Sequence, residues 1–217
     1  SRALKDSSEI SRELCAKAKE LAKEMNYRPN PFAMSLRKNA PRIIGVIVPD
    51  IVTHFFASIL NGIENMAIAN GYFVIITTSH ESYEHEKRNV ENLVNMRVEG
   101  IIACLSQETT DYSHFATLKD INMPLILFDR VCLTEQFSSV VADGVQSAQM
   151  ATQHFLDNGS KRVAFIGGAN HLDIVKKRKH GYLEALRDNR IPIEKEYHRL
   201  LITGDYGLFP FLSLIHI

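Results

Sequence analysis

Strand-like and helix-like segments alternate along the chain from residue 42 onward, and this alternation constrains the fold more than any other feature. Residues 42–49 form a run of mostly β-branched side chains that ends at a proline, which is typical of a strand buried on both faces. Residues 55–67 place apolar side chains at helical spacing, and an Asn-Gly pair at 70–71 ends the pattern. Repeated units of this kind specify a parallel sheet covered by helices on both faces.

The same alternation continues to residue 189 and predicts an α/β fold class. Further predicted strands span residues 73–77, 101–105, 125–128, 140–142 and 162–166. Further predicted helices span residues 85–96, 113–121, 146–158 and 173–189. A length of 217 residues allows one large domain, or a small domain joined to a medium one.

The net charge of zero conceals an uneven distribution of charged residues. Residues 1–42 hold ten Lys/Arg and five Asp/Glu, whereas the rest of the chain holds fifteen and twenty. Within the basic part, Ser11 is a good cap for an amphipathic helix whose apolar side chains recur up to Met25. A basic module on an acidic body is consistent with nucleic-acid binding, although a solvated amphipathic helix explains the charge equally well.

A short segment with two prolines, residues 26–37, joins the basic part to the α/β pattern. Asn30 can cap a short helix that has Pro31 at its first position. The apolar side chains of this helix, Leu36 among them, lie beside cations such as Arg37. Because so short a helix is unstable alone, the pattern indicates a helix that folds against a negatively charged surface such as the minor groove of DNA.

Several function classes find no support in the sequence. The three cysteines are widely spaced, which indicates neither a metal site nor a disulfide framework and favours a reducing cytoplasm. No apolar run reaches the roughly 18 residues that a membrane span requires. The nine histidines show no metal-ligand spacing, and no nucleophile, phosphate-loop or dinucleotide motif occurs. We therefore expect no catalysis, no metal, no cofactor and no membrane partner.

Short motifs in order along residues 1–205 resemble those of the LacI (lac repressor) family of bacterial transcription regulators. The family pattern G/N-Y-x-P-N matches residues 26–30, and its hinge pattern A-x-S-L-R matches residues 33–37. The pattern I-G-x-x-x-P-D-x-x-x-x-F-F matches residues 44–56. Further family-like segments are Ser1–Leu4, Gly100–Ile102, Phe128–Arg130, Val140–Asp143, His154–Gly159, Arg162–Gly168 and Arg178–Tyr182.

The resemblance implies an effector domain of the type I periplasmic-binding-protein fold, with two Rossmann-like lobes and a ligand cleft between them. Residues 1–30 would be a partial all-α helix-turn-helix headpiece, and residues 31–41 the hinge helix and linker. The amino-terminal lobe would span residues 42–160, and an incomplete second lobe would begin at residues 161–205. Residues 206–217 form an atypical apolar tail.

The resemblance also implies that the amino-terminal part contacts DNA. Leu36 matches the family's hinge leucine, which wedges into the central base step of the operator. The alternative is a leucine that packs on its own domain. The residues expected to contact DNA are Ser1, Arg2, Asn30, Ala33, Leu36 and Arg37.

The expected effector-binding residues are Phe55, Phe56, Asp129, Asp143 and Arg178. One phenylalanine of the pair is expected in the core, and the other at the cleft wall. The Arg178 guanidinium can hold hydroxyls or a carboxylate in a forked geometry, or it can be one more cation of a solvated run. Asp129 and Asp143 can accept from ligand hydroxyls or cap turns and helices. A glycine follows Asp143 where the family commonly has asparagine.

These features predict a regulator, a repressor with activation as the alternative, that binds operator DNA as a homodimer. A sugar-like effector in the cleft would shift the lobe arrangement and so change how the hinge helices fold on DNA. The alternative is a solute-binding protein of the same fold with no role on DNA. We further expect that the chain starts within a longer protein and stops within the second lobe. As a fragment, it should be poorly soluble and inactive as a regulator on its own.

Overall fold

The computed structural model describes residues 10–25, 27 and 42–193, together with the backbone of residues 198–200 and 214–216. The chain divides into two units, Ser1–Pro41 and Arg42–Ile217. The predicted hinge helix at residues 31–41 lies outside the described residues.

Within the first unit, helix α1 spans Arg12–Glu24. The predicted cap is present, since the backbone N–H of Leu14 donates to Ser11 Oγ at 3.3 Å. The apolar side chains of Leu14, Leu21 and Met25 are exposed. The helix is therefore amphipathic, with an apolar stripe that is open to solvent in the described part of the chain.

The second unit begins with a sheet of five parallel strands in the order β2-β1-β3-β4-β5. Its strands are β1 (Ile43–Val48), β2 (Phe73–Thr78), β3 (Gly100–Ala103), β4 (Leu125–Phe128) and β5 (Ser138–Val140). The connecting helices are α2 (His54–Ala69), α3 (Tyr83–Asn95) and α4 (Ser113–Asp120). The predicted parallel α/β fold is confirmed. The last strand starts two residues before the predicted segment 140–142, because it pairs with β4 from Ser138 onward.

Alternation along β1 divides the core of this sheet into two layers. Ile47 packs on one face in a cluster with Leu93 of α3 and Phe115 of α4. Its neighbours Val46 and Val48 point to the opposite face and pack with residues of α2. A sheet covered on both faces in this way exposes only its edges and the ends of its strands. The carboxyl ends of the strands are therefore the place where polar side chains can gather.

A second, smaller sheet has the order β7-β6-β8. It consists of β6 (Val163–Gly167), β7 (His198–Leu200) and β8 (Leu214–His216), and its helices are α5 (Gly144–Asp157) and α6 (Asp173–Asp188). Strand β7 pairs with β6 in parallel, whereas β8 from the apolar tail pairs with β6 antiparallel. The sequence pattern did not predict this antiparallel strand.

Helices α5 and α6 pack closely on each other. A Cβ atom added at Gly181 of α6 would lie 2.0 Å from the backbone oxygen of Val145 in α5, so the glycine permits the crossing. Tyr182, beside it, is buried, and its hydroxyl donates to the Val163 carbonyl at 2.8 Å. The expected lobe boundary at residue 160 thus separates two helices that pack together, and α5 contacts the second lobe.

Candidate ligand-binding site

Polar and charged side chains collect where the strands of the first sheet end. Asp50 follows β1, Glu81 follows β2, Gln107 follows β3, and Asp129 and Arg130 follow β4. Because these strands are parallel, their carboxyl ends meet at one edge of the sheet. This edge is the candidate binding site.

An ion pair joins two of these strand ends. Arg130 Nη1 lies 2.7 Å from Glu81 Oε2 and 3.0 Å from Glu81 Oε1, and it also donates to the Leu105 carbonyl at 3.3 Å. The same Glu81 Oε2 accepts the backbone N–H of Gln107 at 2.7 Å. Loops after β2, β3 and β4 are thereby tied together through one carboxylate and one guanidinium.

The backbone at this edge is strained in three places. His80, Glu81 and Asp129 have positive φ angles of 53°, 60° and 57°. Side chains other than glycine seldom adopt such angles, and they persist only where the surrounding contacts hold them. The ion pair of Glu81 with Arg130 and the hydrogen bond from Asp129 N–H to the Val140 carbonyl, at 3.1 Å, supply such contacts.

Asp129 and Arg178, both predicted from the sequence, are linked by electrostatics. Burial raises the pKa of Asp129, while the positive charges of Arg130 and Arg178 act in the opposite direction. Arg178 belongs to α6, a helix of the second sheet, whereas Asp129 follows β4 of the first sheet. A half-buried carboxyl group after β4 therefore experiences the charge of a guanidinium on α6.

Asp143 caps a helix, which is one of the two roles that the sequence allowed. Its Oδ1 accepts the backbone N–H groups of Val145 and Gln146 at 3.1 and 3.0 Å at the start of α5. The glycine that follows also has a structural reason. A Cβ atom at Gly144 would lie 3.3 Å from Lys177 Cβ and 3.6 Å from Arg178 Cγ, so the small residue lets α6 approach.

The two phenylalanines occupy different environments. Phe56 is only 5% exposed and packs with its ring centroid 6.4 Å from that of Phe128, so it is the core member of the pair. Phe55 is half-buried and meets Phe56 edge to face, with the ring centroids 5.2 Å apart. Phe55 therefore remains the aromatic candidate for a ligand. Asp50 accepts the N–H groups of Val52 and Thr53, which shapes the turn that leads to α2.

A buried polar network below this edge was missed from the sequence. Glu86 is fully buried, and its Oε2 accepts the N–H of Ser106 at 2.5 Å. Its Oε1 accepts the Thr109 hydroxyl at 2.7 Å and lies 2.9 Å from His114 Nε2. The helical spacing of Glu86 with the buried Val90 and Leu93 in α3 was the signal that could have revealed it.

The predicted DNA-contacting residues are not placed by the structure. Ser1, Arg2, Asn30, Ala33, Leu36 and Arg37 all lie outside the described residues.

The described residues offer neither a metal site nor a membrane-spanning helix. They contain no group of three or more His, Cys, Asp or Glu side chains arranged to hold a metal ion. All three cysteines are free and buried, and burial raises the pKa of Cys132 to about 12. Within the same part of the chain, no helix combines the length and the apolar character needed to cross a membrane.

Comparison with known proteins agrees with this architecture. Residues 42–206 match the family described as periplasmic binding proteins and sugar binding domain of LacI family. Catabolite control protein A of Priestia megaterium is 32% identical over 195 residues, which cover 88% of this chain and 56% of that protein.

Two crystal structures are similar to the chain in fold and in sequence. A putative ribose operon repressor from Burkholderia thailandensis gives a TM-score of 0.69 at 26% identity, covering 74% of this chain and 60% of that one. The Cra dual regulator of Pseudomonas putida, solved with fructose 1-phosphate, gives 0.67 at 25% identity, with coverages of 75% and 58%. The chain thus spans somewhat more than half the length of these relatives. By its fold and by this match, the chain belongs to the LacI family, whose members are transcription regulators and not enzymes, and residues 42–206 form part of its periplasmic-binding-protein-like effector domain.

Proposed function

We propose that the chain is part of a transcriptional repressor that binds operator DNA as a homodimer in the cytoplasm. A sugar or sugar derivative bound between the lobes controls this binding. The relatives support the proposal by their names, which include a ribose operon repressor of Halalkalibacterium halodurans and a regulator solved with fructose 1-phosphate. Residues 1–30 would then belong to a DNA-binding headpiece, and residues 31–41 to the hinge helix.

The observation that carries the effector part is the electrostatic interaction of Asp129, at the carboxyl edge of the first sheet, with Arg178 of α6. A carboxylate accepts hydrogen bonds from sugar hydroxyls, and a guanidinium donates to hydroxyl or phosphate oxygens. Because the two groups come from different lobes, a ligand that bridges them binds one lobe arrangement better than another. Such differential affinity is what allows a ligand to shift a conformational equilibrium.

The effector part is tested by titrating the full-length protein with D-ribose, D-fructose and fructose 1-phosphate in isothermal calorimetry. We expect Arg178→Met to weaken binding of the responding sugar about tenfold or more, because a charged donor to the ligand is lost. Lys176→Met is the matched control, since Lys176 lies in the same helix and is exposed. Equal losses in both variants, or no loss in either, would contradict the role of Arg178.

The operator part is tested at the hinge. In the full-length protein, Leu36→Ala should weaken operator binding about tenfold or more, because the side chain that would hold the base step open is removed. Footprinting first locates the operator, and gel shifts with that DNA then measure the affinity. Thermal unfolding checks that the fold is intact. Unchanged affinity in a folded variant would mean that Leu36 packs within its own domain.

The proposed homodimer would form through an apolar surface next to the first sheet. Helix α2 and the neighbouring strand ends line an apolar groove of about 630 Å³ that includes Ile59, Ile63 and Met66. Beside it, β2 is an edge strand of its sheet and exposes Phe73. A second copy that covers this surface would remove from water both the apolar side chains and the open strand edge. Sedimentation velocity measures the association, and a monomer at micromolar concentration would contradict it.

A further inference from the structure

Gln107 occupies a position that links the candidate site to the second lobe. It is 2% exposed, in the loop that follows β3. Its backbone N–H donates to Glu81 at 2.7 Å, and its backbone carbonyl lies 2.7 Å from His171 Nε2. Because a carbonyl only accepts, this imidazole nitrogen carries the proton and donates. The residue therefore contacts the ion pair of the first lobe and the β6–α6 loop of the second.

The loop around Gln107 is held in place from below. Glu86 accepts from the N–H of Ser106, one position before Gln107, and from the hydroxyl of Thr109, two positions after it. These bonds are buried and fix the loop before any ligand arrives. Pre-organisation of this kind lowers the entropy that ligand binding must otherwise overcome.

The contacts described so far involve the backbone of Gln107 and leave one hydrogen-bond donor of its side chain unpaired. Its Nε2 is buried, and it has no hydrogen-bond partner among the described residues. A buried amide donor left unpaired destabilises a fold, so each such group calls for an explanation. The backbone of Gln107 lies at the strand edge next to Glu81, so a ligand oxygen that enters this edge would supply the missing acceptor.

We propose that Gln107 is an effector-binding residue, whose side-chain amide donates to a hydroxyl oxygen of the sugar-like effector while its backbone holds the second lobe through His171. The proposal rests on the proposed function and adds to it a residue that the family motifs did not indicate. It also explains why a polar side chain remains at a buried position where it weakens the empty protein.

The test separates a binding role from a structural one with Gln107→Met, which keeps the length of the side chain and removes the amide. If the amide serves the ligand, the ligand-free variant unfolds at the same temperature as the wild type or about 2–4 °C higher, since an unsatisfied donor is gone. Titration with D-ribose and with fructose 1-phosphate then shows at least a tenfold weaker affinity for the sugar that the wild type binds. Gln136→Met is the control, because Gln136 is exposed.

Two results overturn the proposal while leaving the proposed function intact. One is a lower unfolding temperature of Gln107→Met, which would show that the amide stabilises the protein. The other is an affinity equal to that of the wild type. If the wild type binds neither sugar, the proposed effector class fails, and this inference fails with it.

Discussion

Glu86→Ala is expected to lower the free energy of unfolding by about 3–5 kcal/mol. The carboxylate is fully buried and accepts from the backbone of Ser106 and from the hydroxyl of Thr109, with His114 at 2.9 Å. Alanine removes the acceptor and leaves these groups buried without a partner. That is more destabilising than losing an exposed ion pair. Urea unfolding followed by circular dichroism measures the difference.

Glu91→Ala is the matched control for this prediction. Glu91 lies in the same helix α3 but is exposed, so its replacement should change stability by no more than about 0.5 kcal/mol. If Glu86→Ala also stays within that range, the network does not hold the loop in solution. Glu86→Ala should also raise the rate of hydrogen exchange at the amides of residues 106–109, which would connect its effect on stability to the binding edge.

Gly181→Ala is expected to destabilise the packing of α5 on α6 by about 3 kcal/mol or more. The added Cβ atom would lie 2.0 Å from the backbone oxygen of Val145 and 3.1 Å from the backbone nitrogen of Gln149. Neither neighbour is the end of a flexible side chain, so the two helices must move apart. Arg178 lies on α6, so effector affinity should fall together with stability. Thermal unfolding and sugar titration measure the two effects.

Gly62→Ala is the control for the glycine prediction. Gly62 also lies within a helix, α2, but a Cβ atom there meets nothing within 4 Å. Its replacement should leave stability unchanged or raise it by about 0.5–1 kcal/mol, because alanine favours the helix. Destabilisation of similar size in both variants would show that helix propensity, and not the crossing of α5 and α6, sets the outcome.

Much of the fold was predictable because hydrophobic spacing reports burial directly. The β-branched run of β1 and the helical spacing of residues 55–67 both led to elements close to the observed ones. The family motifs pointed to Asp129 and Arg178, which the structure links by electrostatics. Whether these residues bind an effector stays a prediction, as does the whole set of DNA contacts from Ser1 to Arg37.

Glu86 and Gln107 were missed from the sequence for the same physical reason. Glu86 is a glutamate in a charged helix. Only its hydrogen-bond partners at residues 106, 109 and 114 show why a charged side chain is buried there. Gln107 gains its place from contacts with residues 26 positions before it and 64 after it. Such contacts depend on which chain segments meet in space, and no local pattern records them.

The sequence by itself determined the alternation of strands and helices, the family, and the two charged residues expected at the cleft. It could do so because periodicity and short motifs are local properties of the chain. Only the tertiary structure decided that Asp143 caps a helix, that Phe56 lies in the core, and that α5 packs on the second lobe. Only the tertiary structure also set Gln107 between the lobes. Those outcomes depend on close packing and on the pairing of buried polar groups, which exist only once distant segments have come together.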